Sequence, residues 1–90
     1  MLEAHIIIRG DVQGVGFRTT TRSFAHQLNL IGFIRNKSDG TVEIRAQGEK
    51  KVLEQLITKL KDAFNGDYID EMEIEFVKPE QTFEEFSITF

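Results

Sequence analysis

Three glycines and an arginine lie close together near the start of the chain. Gly10, Gly14 and Gly16 fall within seven residues, and Arg18 follows two residues after the last of them. Glycine lets the backbone bend sharply, so that successive N–H groups can point at one anion. The guanidinium of arginine matches two oxygens of a phosphate group, which the ammonium of lysine cannot do. The segment therefore predicts a site for a phosphoryl group, although a glycine-rich connection can also be no more than a turn.

The residues of this segment do not match two other phosphate-binding motifs. No Gly-Lys-Ser or Gly-Lys-Thr follows, so the segment is not a P-loop. The glycines also lack the spacing of the dinucleotide-binding motif, and the strands that follow are predicted to form a hairpin, not a parallel crossover.

A second candidate is Asn36, which stands just before the predicted hairpin turn at residues 38–40. Its carboxamide can accept a hydrogen bond from water and donate one to a second group at the same time. Asparagine before a turn commonly bonds its own backbone instead, so its position alone leaves both interpretations open.

The hydrophobic pattern predicts the elements that would position these residues. Alternation of apolar residues predicts strands over residues 2–9, 32–37, 41–47 and 71–76, and a short last strand at residues 86–90. Apolar residues at helical spacing predict helices over residues 17–28 and 49–64. Asn29, directly after the first helix, can adopt the left-handed conformation that ends a helix. The charged segment 78–85 is predicted to be a loop.

This order of elements is that of an α+β, ferredoxin-like fold, a split βαβ sandwich. We expect a mostly antiparallel sheet of four to five strands, with two helices on one face and water on the other. The first helix would begin directly at the glycine-rich segment, where its unpaired N–H groups and its dipole favour an anion. The fold by itself decides no function, because it hosts many unrelated activities.

The composition of the chain excludes or disfavours several kinds of site and binding partner. Ninety residues predict one domain, 1–90, and the lack of cysteine excludes a disulfide, a thiolate nucleophile and a cysteine zinc site. One histidine per element is not a metal-ligand pattern. A net charge of −4 disfavours nucleic acid, since the basic residues are scattered apart from a thin group at Arg18, Arg22, Arg35 and Lys37. The N-terminal residues do not resemble a signal peptide. No apolar stretch approaches the ~20 residues needed to span a bilayer. We therefore expect a cytoplasmic chain that does not enter a membrane.

Together the two segments resemble the two signatures of the acylphosphatase family. The first is Gly10-x-Val12-Gln13-Gly14-Val15-Gly16-Phe17-Arg18, and the second is Gly32-Phe33-Ile34-Arg35-Asn36, followed by Gly40-x-Val42 and Gly48. The resemblance covers essentially the whole chain. It implies hydrolysis of the carboxyl–phosphate bond of acyl phosphates to carboxylate and inorganic phosphate, without metal or cofactor.

The resemblance also implies roles for individual residues. Arg18 and Asn36 match the catalytic arginine and asparagine of the family. The residues that would bind the substrate phosphate are Gln13, Gly14, Val15, Gly16, Phe17 and Arg18. The expected partners are a small acyl phosphate and the phosphate product, and we expect a monomer.

Three alternatives stay open at this point. A phosphate sensor of the same fold would bind the anion without catalysis. An RNA-binding sheet shares the order of elements, but the outward positions of the third strand, Thr41, Glu43 and Arg45, lack the aromatic residues that stack on bases. For a regulatory interaction domain the sequence offers no specific feature.

Overall fold

Five strands and two helices follow the predicted order. The computed structural model describes residues 1–90. Its elements are β1 (Leu2–Gly10), α1 (Phe17–Gln27), β2 (Ile31–Asn36), β3 (Val42–Gly48), α2 (Lys50–Ala63), β4 (Ile69–Val77) and β5 (Phe86–Thr89). The predicted bounds differ from these by no more than two residues. Neither helix has the length and apolar character needed to cross a membrane.

The end of α1 confirms the role predicted for Asn29. This residue has a φ of +56°, and its N–H donates to the backbone oxygen of His26. The N–H of Leu30 reaches back to the oxygen of Ala25 at 2.9 Å. These two bonds form a Schellman motif, which satisfies carbonyl groups that the helix end would otherwise leave unpaired. The predicted helix included Leu28, which instead lies in the cap.

The sheet has the strand order β4-β1-β3-β2-β5. The strand β1 runs antiparallel to β3 and β4, and β2 runs antiparallel to β3. The last strand, β5, pairs parallel with β2 at the opposite edge from β4. The prediction of a mostly antiparallel sheet is confirmed, and the structure supplies the placement of β5, which the sequence did not predict.

The core lies between the sheet and the helices. Ala4, Ile6 and Ile8, which share one face of β1, are fully buried, and they belong to one cluster of 17 buried apolar residues. Such burial is the main favourable term in folding. Ile74, which pairs with Ile6, is 36% exposed because it lies on the edge strand β4.

Part of the face of the sheet away from the helices is covered, whereas the prediction had this face open to water. Because β4 and β5 occupy opposite edges, the chain between them must cross the sheet. Gln47 of β3 holds this connection, since its Nε2 donates to the backbone oxygen of Gln81 at 2.6 Å and its Oε1 accepts from the N–H of Phe83 at 3.3 Å. Gln47 is only 1% exposed.

Two glutamates on this outer face are also buried and paired. Glu3 accepts from Arg45 at 2.7 Å. Glu43, predicted to point into solvent, contacts Arg35 at 2.6 Å and His5 at 2.7 Å. Burial raises the pKa of Glu43, but the hydrogen bonds from Arg35 and His5 outweigh burial and leave that pKa below its ordinary value.

Candidate functional site

The connection between β1 and α1, residues 11–16, forms the predicted loop. The N–H of Asp11 donates to the backbone oxygen of Tyr68 at 2.8 Å, which ties the start of the loop to the chain entering β4. Gly14 and Gly16 have φ values of +85° and +76°. A side chain at these angles would be strained, so the path of the loop depends on glycine.

The start of α1 is left without a capping side chain. Gly16 is its N-cap residue, no side chain accepts a hydrogen bond from the first N–H groups of the helix, and the first turn carries no acidic residue. The first N–H groups of a helix have no partner inside the helix. Together with the helix dipole, they favour binding of an anion at this end of α1.

Arg18 lies in the first turn of α1, beside these N–H groups. No salt bridge or side-chain hydrogen bond joins it to another residue, whereas Arg9, Arg35 and Arg45 are all paired with glutamates. Arg18 borders a cavity of about 230 Å³, whose lining residues are Val12, Gly14, Gly16, Phe17, Arg18, Thr19, Ile88 and Phe90. The cavity thus combines the uncapped helix end with an unpaired guanidinium.

The sheet register brings Asn36 toward the same end of the fold. Val42 of β3 pairs with Ile8 of β1 on one side and with Asn36 of β2 on the other. Asn36 therefore lies two strand spacings, about 10 Å, from Ile8, just before the point where β1 enters the loop. It shares the helix-facing side of β2 with the buried Ile34, since the two residues are two positions apart. Asn36 does not line the cavity of Arg18, and no hydrogen bond joins the two residues.

The Oδ1 atom of Asn36 is buried, and no protein group donates to it. The interpretation that Asn36 serves its own turn is therefore wrong. Asp39 has that role, because its Oδ1 accepts from the hydroxyl of Thr41 at 2.6 Å and from the N–H of Thr41 at 3.0 Å. These two bonds lower the pKa of Asp39, the hydroxyl having the larger effect. An unpaired buried acceptor costs about 1–3 kcal/mol, so the amide oxygen of Asn36 is suited to a water or ligand partner.

Two residues near the end of the chain, Ile88 of β5 and Phe90 just after it, were missed as cavity-lining residues. The parallel pairing places Ile88 opposite Ile34 and Thr89 opposite Arg35, and Ile88 and Phe90 line one wall of the cavity, with the side chain of Phe90 99% exposed. The alternation of Phe86, Ile88 and Phe90 predicts a strand. It does not show which strand is its neighbour, so the sequence holds no signal for this wall.

The side-chain amide of Gln13 is not free to bind an anion, although the resemblance places this residue among those that bind phosphate. Its Nε2 donates to the backbone oxygens of Lys37 and Thr41, at 3.0 and 2.9 Å. Both amide hydrogens are used in this way, so only the backbone N–H of Gln13 remains for a ligand.

The basic group seen in the sequence does not assemble at this site. Arg35 pairs with Glu43 on the outer face of the sheet. Arg22 lines a separate groove between α1 and β5, together with His26 and Glu85. Of the four basic residues, which include Lys37, only Arg18 borders the cavity at the loop, so the positive charge there comes from one side chain and the helix end. No group of three or more His, Cys, Asp or Glu side chains is arranged to hold a metal ion.

The whole chain matches known proteins. The sequence profile of the family described as Acylphosphatase matches residues 4–88. A protein named acylphosphatase from Ligilactobacillus salivarius is 44% identical over 89 residues, which cover 94% of each chain. One from Bacillus licheniformis is 37% identical over 90 residues, the full length of both. The crystal structure of acylphosphatase from Bacillus subtilis superimposes over 100% of both chains with a TM-score of 0.91 and 31% identity.

Proposed function

This chain belongs to the acylphosphatase family, and we propose that it splits the carboxyl–phosphate bond of acyl phosphates with Arg18 and Asn36 as its catalytic residues. Enzymes of this family are hydrolases that act on acid anhydrides. The observation that supports this site most directly is that an unpaired guanidinium and an uncapped helix start face one cavity. The phosphoryl group of the substrate would lie there.

The phosphoryl group is the part of the substrate that the loop would hold. Its equatorial oxygens would accept hydrogen bonds from the N–H groups of residues 13–18 and from the fork of Arg18. These donors are set by the backbone before the substrate arrives, so they need little rearrangement as charge shifts onto those oxygens. The same contacts would bind the inorganic phosphate that is released.

Asn36 would place the attacking water. The buried Oδ1 can accept one hydrogen of a water molecule, which fixes the direction of the water's lone pair. Correct placement of a nucleophile lowers the barrier without any acid or base, because the cost of orienting it is met on binding.

The reaction needs no general acid. Water attacks phosphorus, the bond between phosphorus and the carboxyl oxygen breaks, and the carboxylate leaves with the electron pair of that bond. A carboxylate is a weak base and departs without a proton. The proton of the water passes to a phosphoryl oxygen of the substrate, so the products are a carboxylate and inorganic phosphate. Phosphoryl transfer of this kind depends mainly on positioning and on charge stabilisation.

The test compares two substrates with the purified protein. We expect benzoyl phosphate to be hydrolysed and 4-nitrophenyl phosphate, an ordinary ester, to remain intact, with equal rates in the presence and absence of EDTA. Equal cleavage of both compounds, or loss of activity with EDTA, would contradict the proposed reaction. Binding of phosphate without any hydrolysis would favour the phosphate sensor instead.

Two variants test the assigned roles. Arg18→Ala should lose both phosphate binding and turnover, whereas Asn36→Ala should keep phosphate binding and lose turnover by about 100-fold or more. Arg22→Ala is the matched control, because Arg22 lies one helical turn further along α1 and lines a different groove. Full activity of Arg18→Ala or Asn36→Ala would remove the basis for these roles.

We also propose that residues 1–90 form a single domain that acts as a monomer in the cytoplasm and binds no nucleic acid. The buried apolar residues belong to one cluster, and the chain has no cysteine and a net charge of −4. The lack of cysteine suits a reducing compartment. The negative net charge disfavours the phosphate backbone of a nucleic acid as partner. Sedimentation should give a mass near 10.4 kDa, and a gel shift with RNA at low salt should show no binding.

A further inference from the structure

Gln13 connects the loop at residues 11–16 with the hairpin that follows Asn36. Its Nε2 donates one hydrogen to the oxygen of Lys37 at 3.0 Å and the other to the oxygen of Thr41 at 2.9 Å. Its partners are 24 and 28 residues away along the chain. No other side chain of the loop makes a hydrogen bond to the hairpin.

The two oxygens that accept from Gln13 are the closing pair of that hairpin. The oxygen of Thr41 also accepts from the N–H of Lys37 at 2.8 Å, and the oxygen of Lys37 accepts from the N–H of Gly40 at 3.1 Å. A carbonyl oxygen has two lone pairs, so each can take a second hydrogen bond from Gln13. The loop is therefore joined to a rigid part of the fold, directly after Asn36.

We infer that Gln13 is a positioning residue, which holds the phosphate-binding loop in register with Asn36. The inference rests on the proposed function, in which the loop N–H groups bind the phosphoryl group and Asn36 orients water. Gly14 and Gly16 give the loop freedom. Its first residues are held by the N–H of Asp11 and by the buried side chain of Val12, and its last residue leads into α1. A displacement of about 1 Å between a nucleophile and its target can cost about 100-fold in rate.

This role differs from direct phosphate binding in a way that can be measured. A side chain that binds phosphate would, when lost, weaken the affinity for inorganic phosphate. A side chain that aligns the loop with Asn36 would, when lost, lower kcat and leave the loop's own N–H groups able to bind phosphate. It should also have no effect once Asn36 is gone, because nothing remains to be aligned.

The test is a double-mutant cycle of Gln13→Met and Asn36→Ala on benzoyl phosphate hydrolysis, with inorganic phosphate as competitive inhibitor. Methionine has nearly the shape of glutamine and no donor. We expect Gln13→Met to lower kcat by about tenfold or more, to change the inhibition constant of phosphate by less than about threefold, and to add less than about twofold to the loss caused by Asn36→Ala. Gln27→Met, an exposed change on α1, is the control and should leave activity unchanged.

A second variant keeps the inference testable if Gln13→Met fails to fold. Gln13→Glu has no donor when ionised and regains one O–H when protonated, in the pH range around the ordinary pKa of a glutamate. Its kcat relative to wild type should therefore rise as the pH falls through this range.

Three results would overturn the inference. The first is an unchanged kcat in Gln13→Met, and the second is a relative kcat of Gln13→Glu that does not depend on pH. The third is a phosphate affinity of Gln13→Met that falls in parallel with kcat/KM, with full additivity to Asn36→Ala. If Asn36→Ala itself retained full activity, the proposed function would be at fault, which is a separate outcome of the same cycle.

Discussion

Gln47 on β3 donates a 2.6 Å hydrogen bond from Nε2 to the backbone oxygen of Gln81, in the connection that crosses the outer face of the sheet. The same amide donates to Glu3 at 2.9 Å and accepts from the N–H of Phe83. Three groups that lie 34 to 44 residues from Gln47 along the chain thus depend on one side chain that is almost fully buried. This contact explains why a strongly charged segment lies against the sheet instead of extending into solvent.

Replacement of this amide should destabilise the fold without affecting the site on the other face. We expect Gln47→Met to lower the free energy of unfolding by about 1–3 kcal/mol, because buried polar groups lose their partners. Urea denaturation at pH 7 measures the change, and hydrolysis at a temperature well below unfolding should stay normal. The exposed change Gln55→Met on α2 should stay within about 0.5 kcal/mol of wild type. Equal stability of Gln47→Met and Gln55→Met would show that the crossing segment does not depend on Gln47.

Glu43 should make the stability of the fold depend on pH. Hydrogen bonds from Arg35 and His5 overcome the effect of burial and lower the pKa of Glu43 from its ordinary value of 4.5. A lowered pKa in the folded state means that the stabilisation is complete above pH 4.5 and is lost as the pH falls through the folded-state pKa. We expect Glu43→Gln to be less stable than wild type by about 1–3 kcal/mol at pH 7, with the gap closing below pH 4.5.

Urea midpoints measured from pH 7 down to pH 3 follow this gap. The control is Glu54→Gln, an exposed change on α2, which should match wild type at every pH. A gap for Glu43→Gln that widens toward acid would contradict the sign derived from the lowered pKa.

Arg18 should not be replaceable by lysine. Lysine keeps the positive charge but lacks the planar fork that contacts two phosphoryl oxygens at once. We expect Arg18→Lys to lose about 100-fold in kcat/KM on benzoyl phosphate and to bind inorganic phosphate more weakly. Arg22→Lys, four residues further along α1, should retain the wild-type rate. Near-normal hydrolysis by Arg18→Lys would mean that charge alone is sufficient at this position.

Asn29 should tolerate glycine and resist alanine. At a φ of +56° a Cβ is strained unless the side chain is asparagine or aspartate, whereas glycine adopts this angle freely. We expect Asn29→Ala to lower the free energy of unfolding by about 1 kcal/mol or more, and Asn29→Gly to remain close to wild type. Thermal unfolding of the two variants side by side measures the difference. An alanine variant as stable as the glycine variant would show that the left-handed residue does not limit this helix end.

The sequence by itself determined the elements and the nature of the loop. The helical spacing of apolar residues in α1 and α2 and the alternation in the strands are local patterns, and they place each element within two residues of its position in the structure. The positive φ of Gly14 and Gly16 and the left-handed Asn29 also follow from residue type. The two motifs identify the family, because matching residues at matching separation can be compared directly.

The tertiary structure decided which distant residues meet. The pairing of β5 with β2 sends residues 78–85 across the outer face, which buries Gln47, and it brings Ile88 to the cavity of Arg18. The role of the Gln13 side chain and the unpaired oxygen of Asn36 likewise depend on the register of strands far apart in the chain. Local periodicity carries no information about which strands are neighbours, because pairing is set by how the whole sheet and its helices pack.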